Sequence, residues 1–162
     1  MARTTRVGLL AFCVMSADSP GYGSKGERLV AGVVALTADK TKVLLVQSSS
    51  RKGWVLPKGG WEMDEKTASN AAAREAWEEA GIIVRVEKDL GHIPDNRPTS
   101  ALSKNAPKAS YQFFEAIVTE ERNEWPEKHK RERKWHTYTQ AKQLLTNRPE
   151  LTEALVRSSI KR

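Results

Sequence analysis

The sequence predicts an α+β fold in which a mixed β-sheet lies between helices, and three observations carry that expectation. A valine-rich run at 28–36 is apolar at nearly every position, as in a strand buried on both faces. Further short apolar runs at 42–47, 54–56, 82–86 and 111–119, separated by turn residues, supply the rest of a sheet. Between them an alanine-rich stretch at 68–80 carries glutamates at helical spacing.

With 162 residues the chain has room for one domain with a real core, read here as residues 27–162 after an N-terminal extension at 1–26. In the extension, Arg3 and Arg6 precede an apolar run at 7–15 that is too short to span a bilayer but has the outline of a secretory signal. Cys13 interrupts that run and nothing downstream looks secreted, so an edge strand or a packed arm is expected instead, followed by a flexible glycine-rich loop at 16–26.

The strands at 28–36 and 42–47 should pair as a hairpin around the turn at 37–41. Three serines and two cations at 48–53 form a polar loop whose chemistry suits phosphate oxygens. Residues 54–56 then lead into Pro57-Lys58-Gly59-Gly60, a turn whose glycines let backbone approach a ligand closely. Asp64 or Thr67 caps the alanine-rich helix, the small side chains of Ala68, Ala71, Ala72 and Ala73 allow close packing on the sheet, and Gly81 ends it in the left-handed conformation.

After the return strand at 82–86, a long loop at 95–108 carries Arg97, Lys104 and Lys108 and reads either as a binding loop or as a disordered one. The densest basic cluster, at 128–134, reads as a solvated face or a nucleic-acid patch. A short strand at 135–138 precedes a helix capped by Thr139 and running through Leu145. Pro149 opens the last helix at its first position, with Leu151, Ala154, Leu155 and Ser158 on one side.

Charge narrows the partner class. The chain has 27 Lys+Arg against 20 Asp+Glu, a net charge of +7, although the 75–79 segment is acidic. The remaining surface is therefore basic and suits a polyanion: nucleic acid, an anionic membrane surface, or a highly phosphorylated small molecule. Cys13 is the only cysteine, so no intrachain disulfide forms and a reducing compartment, cytoplasm or nucleus, is expected.

Glu75, Glu78 and Glu79, at i, i+3 and i+4, project from one helix face, where like charges cost about a few tenths of a kcal/mol per pair. A positive group is expected among them, and clustered carboxylates suit a hard divalent cation such as Mg²⁺. The alternatives are a solvated acidic face or ion pairs to Arg74 and Lys66. His92, His129 and His136 are alternative bases.

The positions Gly60, Arg74, Glu75, Glu78, Glu79, Gly81 and Ile82 match in register the pattern Gly-x5-Glu-x7-Arg-Glu-U-x-Glu-Glu-x-Gly-U, with U a bulky aliphatic. In this the chain resembles the Nudix hydrolase family. Two positions depart: Lys66 stands where the pattern has its first glutamate, with Glu65 one residue earlier, and Ala76 fills the first U position. The resemblance implies an α/β/α sandwich and hydrolysis of phosphoanhydrides by water. It also implies that Glu75, Glu79 and the Gly59 carbonyl hold Mg²⁺, for which Mn²⁺ can substitute, that Glu78 is the general base or shares the metal, and that Arg74 orients the carboxylates.

The phrases at 48–62 and 131–135, with Arg28, further resemble diphosphoinositol polyphosphate phosphohydrolases, particularly fungal ones. That implies diphosphoinositol polyphosphates as substrates, with diadenosine polyphosphates of the Ap5A and Ap6A type as a second class. Phosphate contacts would come from Arg28, Ser49, Arg51, Lys58, Arg131 and Arg148, with Gly60 in the substrate-binding loop. A monomer that binds neither membrane nor nucleic acid is the expectation. The competing readings are an RNA-directed hydrolase using the 128–134 cluster and a non-catalytic polyphosphate-binding module, the latter prompted by Lys66.

Overall fold

Strand β1 (Arg28–Leu36) is buried at every position from Val30 onward, so its sheet is covered on both faces, as its unbroken apolar sequence predicts. The structure is a computed structural model that describes residues 21, 26–49, 52–62, 64–96 and 108–162. Around β1 run β2 (Val43–Gln47), β3 (Trp54–Val55), β4 (Lys58–Gly60), β5 (Ile82–Pro94), β6 (Ala109–Glu121) and β7 (Arg133–His136). The helices are α1 (Ala68–Ala80), α2 (Tyr138–Leu144) and α3 (Pro149–Arg157).

These strands form one mixed sheet ordered β3-β2-β1-β6-β5, with β4 added to β1 and β7 to β2. The β1–β6 pair is parallel and its register is unbroken from Arg28↔Ala109 to Leu36↔Ile117. The other edge of β1 is shared between two antiparallel partners: β2 at Leu36↔Val43 and β4 from Val30↔Gly60 to Gly32↔Lys58. The expected hairpin therefore forms but splays, because β2 spends the rest of its length on β7 and β3.

Several expectations on element bounds are corrected, among them the strand read at 135–138, which is β7 at Arg133–His136. The glycine turn at 57–60 is in part a strand, β4, held by the β1 ladder. The return strand extends to Pro94, beyond the expected 82–86, because register shifts after Ile83, Val86 and Asp89 break the alternation that marks a strand in sequence. Thr137 rather than Thr139 caps α2, in a capping box in which Gln140 returns the bond to the cap residue's own N–H.

Thr67, one of the two expected caps, accepts from the Asn70 N–H and opens α1, and Gly81 closes it at φ 67°. Ala71, Ala72, Ala76 and Ala80 are fully buried, while Ala73 is only partly so. Residues 1–20 and 22–25 of the extension and the loop at 97–107, with Arg97 and Lys104, lie outside the described residues, as does Arg51. Gly21, expected in a flexible loop, is buried, its N–H donating to Trp61 O at 2.6 Å and its carbonyl accepting from Leu29 N at 3.0 Å. Among the described residues, no helix is long and apolar enough to cross a membrane.

Candidate active site

Strand β4 and helix α1 converge because both pack on β1, which places the glycine backbone against the acidic face of the helix. The fit is close: a Cβ on Gly59 would lie 1.8 Å from Glu75 Oε2. Only glycine permits that approach. The Lys58 N–H donates to Glu79 Oε1 at 3.2 Å, so the backbone of β4 touches two of the three glutamates.

Arg74 supplies the cation expected among the carboxylates. Its five N–H donors all find acceptors: Nε and Nη2 reach the two oxygens of Glu65 at 3.0 Å each, and Nη2 also reaches Gly60 O at 2.8 Å. Nη1 reaches Oε1 of Glu75 at 2.8 Å and Oε1 of Glu78 at 3.2 Å. Lys66 is exposed, so the carboxylate absent at that position is supplied one residue earlier by a buried Glu65. Glu65 Oε1 additionally accepts from the Glu62 N–H at 3.0 Å, fixing the turn that turns its side chain inward.

Burial raises the carboxyls of all three glutamates above the ordinary carboxylate range. For Glu75 the Glu79 charge adds to the rise and Arg74 opposes it, reaching about 8. For Glu79 burial is opposed by Lys58 and Arg131, reaching about 7. Glu78, a quarter exposed at its side chain, is also raised by burial, against Arg74. Among the described residues, no three His, Cys, Asp or Glu side chains stand together as a ready-made metal cage.

Cations border the acids. Arg131 reaches Glu79 Oε2 at 3.5 Å, Glu127 Oε1 at 2.8 Å, Gln47 O at 2.8 Å and Ser49 Oγ at 3.2 Å. The Lys58 ammonium is pushed down to about 8, chiefly by burial and then by Arg148, with Glu79 opposing. Arg148 is paired with Glu150 and donates to Tyr111 Oη at 3.4 Å. The Arg28 guanidinium lies over Gly60, where an added Cβ would come within 3.2 Å of Nη2. Of the expected phosphate contacts, Lys58 and Arg131 adjoin Glu79 and Ser49 adjoins Arg131, the Arg148 charge acts on Lys58 from its place on Glu150, and Arg28 adjoins β4.

The histidines are not brought in. His92 and His129 are exposed, and His136 is buried edge-on to Trp54 with ring centroids 5.4 Å apart. Sequence reasoning assigned no role to Glu62, Glu65 or Glu127. Glu62 is buried 3.5 Å from Arg74, and the backbone of Glu127 donates to Glu78 O at 3.0 Å. Of these, Glu65 had a signal in its place beside the anomalous Lys66.

A family model described as the NUDIX domain matches residues 26–156. The chain belongs to the Nudix family. Nudix hydrolase 17, mitochondrial, from Arabidopsis thaliana is 36% identical over 132 residues, which span 74% of this chain and 68% of that protein. A solved Nudix hydrolase from Nitrosomonas europaea shares the fold at TM-score 0.68 and 18% identity, covering 81% of this chain and 87% of its own. The solved Ap4A hydrolase of C. elegans does so at TM-score 0.59 and 21% identity, covering 80% of this chain and 93% of its own. The sheet and its helices are the Nudix fold, and the general activity of this Nudix hydrolase is on phosphoanhydride-bearing small molecules.

Proposed function

We propose that this Nudix protein hydrolyses the phosphoanhydride of diphosphoinositol polyphosphates, with diadenosine polyphosphates of the Ap5A and Ap6A type as a second substrate class. The observation that carries the proposal is the position of Arg131, which touches Glu79 on one side and Ser49 on the other, with Lys58 beside it. A row of cations beside an acid cluster suits a substrate that is almost all phosphate. The 128–134 cluster gives less support to an RNA track, because Arg131 and Arg133 turn inward, leaving Lys128, His129, Lys130 and Lys134 exposed. Glu65 in place of the box glutamate removes the reason for a non-catalytic module.

The donor set fits a hard divalent cation, Mg²⁺ or Mn²⁺. Glu75 and Glu79 are buried carboxylates that repel each other, and the Gly59 backbone lies against the first. We assign them, with the Gly59 carbonyl, as the residues that would hold the metal. When bound, the metal neutralises phosphate charge and lowers the pKa of attacking water. Glu78 is assigned the proton of that water, its burial having raised its basicity. Arg74 orients Glu75 and Glu78 through Nη1, and Lys58, Arg131 and Ser49 hold phosphate oxygens, with Arg28, Arg51, Arg148 and Gly60 around them. The only large exposed hydrophobic side chains among the described residues are Leu144 and Val156, which suits a monomer. A single cysteine suits the cytoplasm or nucleus.

The test is a panel of diphosphoinositol, diadenosine polyphosphate and capped RNA substrates at fixed salt. Hydrolysis of the first two in Mg²⁺, abolished by EDTA, is expected. Glu78→Gln should lower kcat at least about 100-fold, the lower end for a general base, with its unfolding midpoint unchanged. Preference for capped RNA, or wild-type turnover in that variant, refutes the assignment.

A further inference from the structure

The C-terminal turn of α1 carries Glu78 and Glu79, and helix ends fray unless their last carbonyls are bonded. Here every one of them is. The Gly81 N–H takes Ala76 O and Trp77 O. Beyond that, the donors come from the connection between β6 and β7 and from Arg133, the first residue of β7. Glu127 N–H donates to Glu78 O at 3.0 Å, Trp125 Nε1 to Glu79 O at 3.1 Å, and Arg133 Nη1 to Ala80 O at 2.9 Å and Gly81 O at 3.3 Å. Arg122 N–H completes the set at Gly81 O, 2.8 Å away.

The helix has no basic residue in its own last turn, so the charge that its C-terminal dipole favours comes from Arg133. The Arg133 guanidinium lies 4.2 Å from the Trp125 ring centroid, and that ring packs on Gly81 so closely that a Cβ there would meet it at 2.6 Å.

We propose that Trp125 and Arg133 are positioning residues of the hydrolytic site, clamping the last turn of α1 so that Glu78 and Glu79 keep their places. This rests on the hydrolase reading above. The clamp takes hold of the main-chain carbonyls of Glu79, Ala80 and Gly81, and the Glu127 N–H beside it takes that of Glu78. The same connection carries Arg131, so one segment fixes both the acids and a phosphate-facing cation.

The test compares single hydrogen bonds removed from opposite ends of α1. Trp125→Phe keeps a ring on Gly81 and under Arg133 but loses the N–H, whereas Thr67→Ala removes the N-terminal cap. Each should lower the melting temperature by only about 4 °C. A misplacement of about 1 Å costs about 100-fold, so partial release of the turn should lower kcat of Trp125→Phe about tenfold, with KM unchanged. Its Mn²⁺ titration, which needs no substrate, should weaken as well, and Thr67→Ala should match the wild type in both. Arg133→Lys, which keeps the charge, should retain more kcat than Arg133→Gln. An active wild type with Trp125→Phe equally active, or with both end variants equally impaired, overturns the clamp and leaves the hydrolase reading intact. A wild type that neither cleaves the panel nor binds Mn²⁺ overturns that reading and the clamp with it.

Discussion

Arg74 illustrates how a sequence anomaly dissolves at the level of atoms. Its guanidinium is buried, and a buried cation requires acceptors for every donor. Two of them come from Glu65, one residue before the position where the pattern has its first glutamate. In this chain the Glu62 N–H draws Glu65 inward, and Lys66 points to solvent. Glu65→Ala strands Nε and half of Nη2 in a site where Glu65 is 2% exposed at its side chain, so it should cost about 3–5 kcal/mol. Lys66→Glu, restoring the family residue at an exposed position, should change stability by less than about 0.5 kcal/mol. Urea unfolding of the two variants measures this. A mild effect for the first or a large one for the second would mean that position 66 still matters.

Among the elements, α1 was the most legible because its signals are local: alanines for the sheet, Thr67 before it, Gly81 after it, and glutamates at i, i+3 and i+4. Arg74 bonds Glu75 and Glu78, while Glu79 meets the Lys58 N–H and Arg131. What the sequence concealed is held by contacts distant along the chain. Strand β4 exists because β1 offers Val30 to Gly32 as partners, and Trp125 looks like an ordinary aromatic in a polar stretch until the fold brings it to Gly81. The basic cluster was legible in part: Lys128, His129, Lys130 and Lys134 are exposed, as a solvated face requires, but composition does not distinguish an arginine that binds a carbonyl, as Arg131 and Arg133 do, from one that faces water. Gly81→Ala tests this junction. A Cβ there combines a φ of 67° with a 2.6 Å approach to Trp125, so the cost should exceed the roughly 1 kcal/mol typical of an incompatible glycine site. A cost below that value, read by chemical denaturation, would mean that the ring moves aside freely.

At the scale of the whole molecule, a chain of net charge +7 keeps a buried acidic centre that links folding to pH and, by the metal assignment proposed above, to a divalent cation. Without metal, Glu75 is raised from 4.5 to about 8 and Glu79 from 4.5 to about 7, so between those limits the folded state keeps protons that the unfolded chain has lost. Stability from this pair therefore falls as pH rises from about 5 to 8. His136 works in the opposite direction: burial holds it below its ordinary value of 6.5, so its contribution rises as pH climbs toward that value and then levels off. The difference between wild type and Glu75→Gln isolates the acids. In EDTA, the stability advantage of Glu75→Gln over wild type should grow from pH 5 to pH 8 in urea unfolding. Mg²⁺ at about 100 times its dissociation constant should add about 2.7 kcal/mol to the wild type at pH 8, less at pH 5 where protons compete for the same oxygens, and less to the variant at either pH. An advantage that stays level across that range, with no response to Mg²⁺, would mean that the two carboxylates neither repel each other in the fold nor serve a cation.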